Sequence, residues 1–293
     1  MDDKDWIILK TIFEEKNITK AAERLYMSQP AITYRLKNLE KEFGANLVMR
    51  NPNGILVTPQ GEYLLSYMKE MLIKLQKTKE NIKNMENKVQ GTLHLGCSSI
   101  YAHYELPRLL KGFLTRYPEV EISLKTGLSH KINRLIQKEE ISLAIIRGDY
   151  VGHEEKHLLR EEPICLVSKH PISFYNLPKQ PRINYETDST LQILIEKWWR
   201  QSFSCPPYIS MEVDSMDTCR QMVIHGLGWA ILPAIGLRQH DQLYTRELQW
   251  TNGTPLIRKT WLIYQATSLE LSAVKAFVEY LTNYAAKTSN IEK

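Results

Sequence analysis

The stretch SQPAITYRLKNLEKEFG, residues 28–44, constrains this chain more than any other. A serine that can cap a helix is followed two places later by a proline, which costs little in a first turn where the backbone N–H has no intrahelical partner. Ile32, Leu36, Leu39 and Phe43 then recur at steps of 4, 3 and 4, predicting one buried stripe. At 100° per residue, Ala31, Tyr34, Asn38 and Lys41 point away from it, flanked by Thr33, Arg35 and Lys37. A helix with this outer face needs a partner for its amide, hydroxyls and cations.

The flanks narrow the choice. Trp6, Leu9, Ile12 and Phe13 mark an earlier helix, with Asp3 and Asp5 at its positive end. Asn17 breaks that helix, Thr19 is read as the cap of a second, and Ala21 and Ala22 allow close packing at a tight turn. Three short helices, the last polar and basic outside, predict a helix-turn-helix. After Gly44, the PNG of LVMRNPNGILVTPQG reads as a hairpin turn, hence a wing, with Arg50 at its base placed for a phosphate. Residues 16–60 carry seven basic groups against three acids, which is four of the chain's five net positive charges. That concentration favours a polyanion as partner of this end.

Thr58 and Pro59 open another helix. Leu64, Met68, Met71, Leu75, Thr78, Ile82, Met85 and Val89 follow at alternating steps of 4 and 3, and seven of the eight are apolar. This heptad seam calls for a partner helix, so a helix over residues 59–89, about 46 Å long, is expected to dimerise. The expected dimer seam is Leu64, Met68, Met71, Leu75, Ile82, Met85 and Val89.

Beyond VQG the pattern changes to strand–helix alternation. TLHLGC, VEISLKTG, SLAIIRG, EEPICLVSKHP, RINYE, YISMEVDS, WAILP and RKTWLIYQ read as strands. Helices are expected at 104–116, 130–138, 190–203, 216–225 and 268–286. Two α/β lobes joined by crossing strands enclose a cleft, where small ligands bind at strand C-termini.

The string NITKAAERLYMSQPAITYRLKNLEKEFGANLVMR…TPQG closely resembles the N-terminal signature of the LysR-type transcriptional regulators. The match covers about residues 1–65. Four residues depart from it: Tyr34 stands where the family often has arginine, Pro52 and Asn53 where the wing often has a basic residue, and Val48 where phenylalanine is usual. GTLHLGCSSIYAHYELPRLL, FLTRYPEVEISLKTG, LAIIRG and VIHGLGWAILP are similar, more loosely, to segments of the family's effector domain, with Ser142 where aspartate is usual.

The resemblance implies a multidomain chain of α+β and α/β type. A winged helix-turn-helix occupies residues 1–58, a linker helix 59–90, and a two-lobed, periplasmic-binding-protein-like effector domain 91–293. Lobe I is expected at about 91–161 and 266–293, lobe II at about 162–265. DNA contacts are expected from Thr19, Ser28, Gln29, Pro30, Ala31, Thr33, Tyr34, Arg35, Lys37 and Arg50. Effector contacts are expected from Ser98, Ser99, Ile100, Thr126, Arg147 and Thr218; hydroxyls plus one arginine point to an anionic ligand. Expected partners are double-stranded promoter DNA, a small-molecule effector, RNA polymerase and further copies of the chain, as dimer or tetramer, with the direction of regulation open.

The sequence has no G-x-S-x-G, P-loop or H-E-x-x-H, and its histidines are scattered, so it is not read as an enzyme and no metal or cofactor is expected. No run of about 18 apolar residues predicts a membrane span, and MDDKDW is not a secretory leader, so a cytoplasmic, nucleoid-associated protein is expected rather than a free solute-binding receptor. Cys205 and Cys219 lie 14 apart; the alternatives are a redox-sensing regulator of the same fold and small semi-buried hydrophobes, of which the sequence favours the second.

Overall fold

The computed structural model describes residues 3–51, 54–84, 88–152, 155–237 and 241–289. Pro52, Asn53 and Met85 lie outside these residues, and Arg50 is described in its backbone only. Two compact units divide at Lys79 and Glu80, within the linker helix.

The first unit holds α1 (Asp3–Glu15), α2 (Ile18–Arg24) and α3 (Gln29–Phe43). These pack through Leu9, Ile12, Ala21, Ala22, Ile32, Leu36 and Leu39, all buried. The cap of α2 is Asn17, whose Oδ1 accepts from Thr19 and Lys20 N–H at 2.9 and 3.1 Å, not Thr19 as the sequence suggested. Asn17 breaks α1 and starts α2 at once, because its short side chain reaches the N–H groups left open at a helix start. Ser28 caps α3 as expected, with Oγ accepting from Ala31 N–H. Gly44 ends α3 in the left-handed conformation, φ 63°, where a β-carbon is strained. Phe43, expected in the buried stripe, is exposed; the chain reverses at Gly44 and Leu47 occupies the core instead.

The strands β1 (Val48–Asn51) and β2 (Gly54–Val57) pair antiparallel as the wing, with Arg50 opposite Ile55. Glu40 accepts from the Leu47 and Val48 N–H groups and fixes the entry to this hairpin. Thr58 opens α4 (Pro59–Asn84) as expected: its Oγ1 donates to Asn46 O and accepts from Gly61 N–H at 3.0 Å. The 26 residues of α4 span about 39 Å. Residues 88–90 are not helical, so the helix does not reach Val89; Val89 packs instead on the core of the second unit. Leu64 and Met68 are buried in the first unit's own core.

The second unit is built on one long strand. The strand β6 (Glu155–Ser168) begins six residues earlier than the sequence suggested and runs through both lobes. In lobe I the order is β4 (Val120–Gly127), β3 (Gly91–Ser98), β5 (Leu143–Arg147), β11 (Ile257–Tyr264), then the first half of β6. Pairs β3–β4 and β3–β5 are parallel; β11 is antiparallel to both its neighbours. Expected in lobe II, β11 thus belongs mainly to lobe I, because its inward residues Leu262 and Ile263 complete that lobe's buried layers.

The second half of β6 pairs in lobe II with β9 (Ala230–Pro233) and with β10 (Tyr244–Glu247), a short strand absent from the sequence reading. There β7 (Arg182–Tyr185) and β8 (Ile209–Val213) form a parallel pair.

The helix expected over 104–116 is α6 (Leu106–Arg116), with Pro107 in its first turn, and a short helix that was not expected, α5 (Ser99–Tyr104), precedes it. With α10 (Ser272–Ser289), α6 buries Phe113 against Phe277 at a ring separation of 4.8 Å, while α7 (Ser129–Gln137) covers the opposite face of the sheet through Ile132 and Ile136. In lobe II, α8 (Ser189–Ser202) buries Trp198 and Trp199, and α9 (Met216–Ile224) buries Cys219 and Val223.

Candidate nucleic-acid interface and effector site

The outer face of α3 is short of acids: Gln29 to Lys37 contains none. Ser28, Gln29, Pro30, Tyr34 and Lys37 are exposed, and Ala31 and Thr33 half-buried. Thr33 Oγ1 donates to Gln29 O at 2.9 Å and accepts from Gln29 Nε2 at 3.2 Å. One turn of helix therefore presents a prearranged amide and hydroxyl, the groups that recognise base edges in a major groove. Tyr34 stands beside them, 67% exposed.

Two further expected contacts differ in how free they are. Thr19 is exposed in the first turn of α2. Arg35 Nη1 donates to Asp5 Oδ1 at 2.6 Å, so this cation ties α3 to α1 within the unit.

In the second unit, the parallel strands β3, β4 and β5 deliver Ser98, Thr126 and Arg147 to one end of lobe I. Ser98 is buried and its Oγ has no hydrogen-bond partner; Ser99 and Thr126 are exposed, and Ile100 packs on the lobe I core. From lobe II, Thr218 sits in the first turn of α9 and shares hydrogen bonds with Ser215 and Asp214, while Ser215 Oγ caps the helix. Lobe I reaches α9 directly, since Tyr104 OH donates to Asp217 at 3.1 Å.

Arg147 is not a free cation. It is 2% exposed and ion-paired with Glu162, whose other oxygen accepts from Ile235 N–H at 2.7 Å. Burial first, then the neighbouring Arg258, lowers its pKa to about 9. The sequence reading missed the groups around it. Arg258 donates to Asp188, to Thr190 Oγ1 at 2.7 Å and to Arg147 O at 2.8 Å. Asp188 also caps α8 through the Thr190 and Leu191 N–H groups. Gly148, φ 99°, gives Arg258 and Thr190 room: a β-carbon there would fall on the Thr190 hydroxyl. The Tyr185 hydroxyl is buried beside Arg147, and burial pushes this phenol up. The TDST around Asp188 is a cap signal, whereas Glu162 and Arg258 sit in the charge pairs Glu161–Glu162 and Arg258–Lys259, which look like ordinary solvated strand ends.

Three of the four thiols fit the hydrophobe reading, and Cys205 does not. Cys97, Cys165 and Cys219 are buried, and burial raises Cys165 to about 11 and Cys219 to about 12; Cys205 is exposed. Among the described residues no cluster suited to a metal ion occurs, and no helix is long and apolar enough to cross a membrane.

Two family models match the chain. "Bacterial regulatory helix-turn-helix protein, lysR family" matches residues 4–62, and "LysR substrate binding domain" residues 86–286. The HTH-type transcriptional regulator YraN of Bacillus subtilis is 45% identical over 281 residues, covering 96% of this chain and 97% of its own. YkuM of the same organism is 34% identical, covering 94% of each chain. Among solved structures, full-length CbnR complexed with its target DNA has a similar fold, with TM-score 0.70 at 19% identity, covering 97% of this chain and 99% of that one. With a DNA-binding module and an effector module both matched, this chain belongs to the LysR family of bacterial transcriptional regulators.

Proposed function

We propose that α3 reads promoter DNA in the major groove. Gln29 and Thr33 contact bases, Ser28, Lys37 and Arg50 contact phosphates, and Tyr34 sets this protein's own preference. The observation that carries this reading is the Gln29–Thr33 pair held ready on a stretch, Gln29 to Lys37, that carries no acid. Two copies joined along α4 would read two half-sites. Of the expected seam, Leu75 and Ile82 support this best, being 38% and 61% exposed in a single chain, whereas Leu64 and Met68 already serve the chain's own core.

The effector would enter at the lobe junction, among Ser98, Ser99, Thr126 and Thr218. A buried hydroxyl without a partner among the described residues, as at Ser98, is uncommon and favours a ligand that supplies one. Because Glu162 matches the charge of Arg147, hydroxyls and backbone N–H groups carry the recognition, and a small anion held by them is the ligand class we favour. Bound effector would alter DNA bending and RNA polymerase contact only by binding two arrangements of the subunits with different affinity. Such a regulator works in the cytoplasm.

Selection of sites from random DNA by the full chain tests the first half: a two-fold related consensus is expected, and recovery of no consensus refutes it. A thermal-shift screen of small organic acids tests the second: a stabilising hit lost in Ser99→Ala is expected, and one that persists in Ser99→Ala and Thr126→Ala moves the site elsewhere.

A further inference from the structure

Among the described residues of the second unit four arginines are buried, and three have an acid. Arg147 pairs with Glu162, Arg220 with Asp241, and Arg258 with Asp188. Arg182, at the start of β7, has none. Its side chain lies beside the stacked indoles of Trp199 and Trp229, 5.7 and 5.6 Å from ring centroids that are themselves 6.0 Å apart, and the residue is 8% exposed. Its Nε is buried without an acceptor, and no described side chain accepts from its terminal nitrogens. Cation–π contact offsets only part of the cost of burying a charge. Burial lowers the guanidinium to about 10, so it remains protonated at neutral pH.

Arg182 does not face solid protein. It lines a cavity of about 860 Å³ in lobe II, within the range of small-molecule sites. Its apolar wall is Ile195, Trp199, Phe203, Pro206 and Ile209, from α8, the loop after it and β8. The rings are fixed: Trp199 Nε1 donates to Cys205 O at 2.8 Å and Trp229 Nε1 to Gln180 O at 3.1 Å. Glu186, Glu196, Glu212 and Asp214 also line the cavity, against one further cation, Arg200, so the wall without Arg182 carries a net negative charge. None of Ser98, Ser99, Thr126, Arg147 or Thr218 does.

We propose that this cavity is a second ligand site, separate from the lobe junction, that takes a small monocarboxylate with an apolar or aromatic body. The carboxylate completes Arg182, supplying the acceptors the protein lacks, and the apolar body lies against Trp199, Phe203 and Ile209. The four wall carboxylates repel a second negative charge, so dicarboxylates and phosphate esters are excluded.

The test uses the full chain with phenylacetate and indole-3-acetate as probes and phthalate as the dianionic control, followed by calorimetry and by tryptophan fluorescence. Saturable binding of a monocarboxylate is expected, weakened about tenfold or more by Arg182→Met. Ile209→Trp, which fills the cavity and leaves Arg182 in place, should weaken it too, and this keeps the test decisive if Arg182→Met fails to fold. Ser99→Ala should leave it unchanged. The proposal is overturned if neither probe binds, if phthalate binds as well as they do, or if Ile209→Trp binds like the parent. Binding lost in Ser99→Ala instead would assign the probe to the lobe junction and also overturn it.

Discussion

Replacing Asp188 by alanine should cost the second unit about 4 kcal/mol. Asp188 is buried, caps α8 with two backbone N–H groups and, among the described residues, is the only carboxylate bonded to Arg258, itself buried. Breaking a buried ion pair from one side costs about 3–5 kcal/mol, since the remaining charge is left uncompensated. Loss of an N-cap adds about 1 kcal/mol. The two do not add fully, because Arg258 keeps its bonds to Thr190 and to Arg147 O. For a unit of this size, 4 kcal/mol corresponds to about 8–16 °C in Tm.

The pH dependence gives a second readout. Burial alone would raise the Asp188 pKa, but Arg258, Thr190 and the Leu191 N–H outweigh it, and the net shift is downward from 3.8. A depressed folded-state pKa stabilises the protein above the unfolded value and ceases to do so as pH falls through the folded value. The gap in Tm between parent and Asp188→Ala should therefore be full at pH 6–7 and narrow only below about pH 4. Calorimetric melting across that range is the assay. A gap under about 2 °C at pH 7, or one independent of pH, would refute the reasoning.

Other outcomes follow from the same contacts. Leu75→Lys with Ile82→Lys should shift the chain toward monomer in sedimentation while leaving its melting intact; an unchanged oligomer would show that the seam is no interface. Arg35→Ala should leave base preference untouched, because Arg35 is bonded to Asp5; a changed consensus would place it on DNA instead. With the Cys219 thiol raised to about 12 by burial, peroxide should not alter DNA binding at neutral pH, and a loss of binding abolished by Cys219→Ser would establish the redox alternative.

Legibility in the sequence followed the range of the interaction. Ser28, Gly44 and Thr58 were readable as caps because a cap bonds within three or four residues of itself. Thr19 was misread because Asn17, two residues away, is the better acceptor for the same N–H groups. The seam was read as one interface although Leu64 and Met68 pack inward, since a heptad stripe looks alike whether it meets its own domain or a second helix. Least readable was the lobe junction. Arg258 meets Asp188 across 70 residues and Arg147 across 111, and no local pattern announces pairs at that separation. Arg147 consequently looked like a free cation when it was half of a buried pair.

Comparing the DNA consensus selected by the parent chain with that selected by Gln29→Ala tests the central claim most directly. A base-reading amide contributes about 1–3 kcal/mol of discrimination, so one position in each half-site should lose its preference while the half-site spacing stays. An identical consensus from both proteins would contradict the assignment of α3 as the helix that reads the bases.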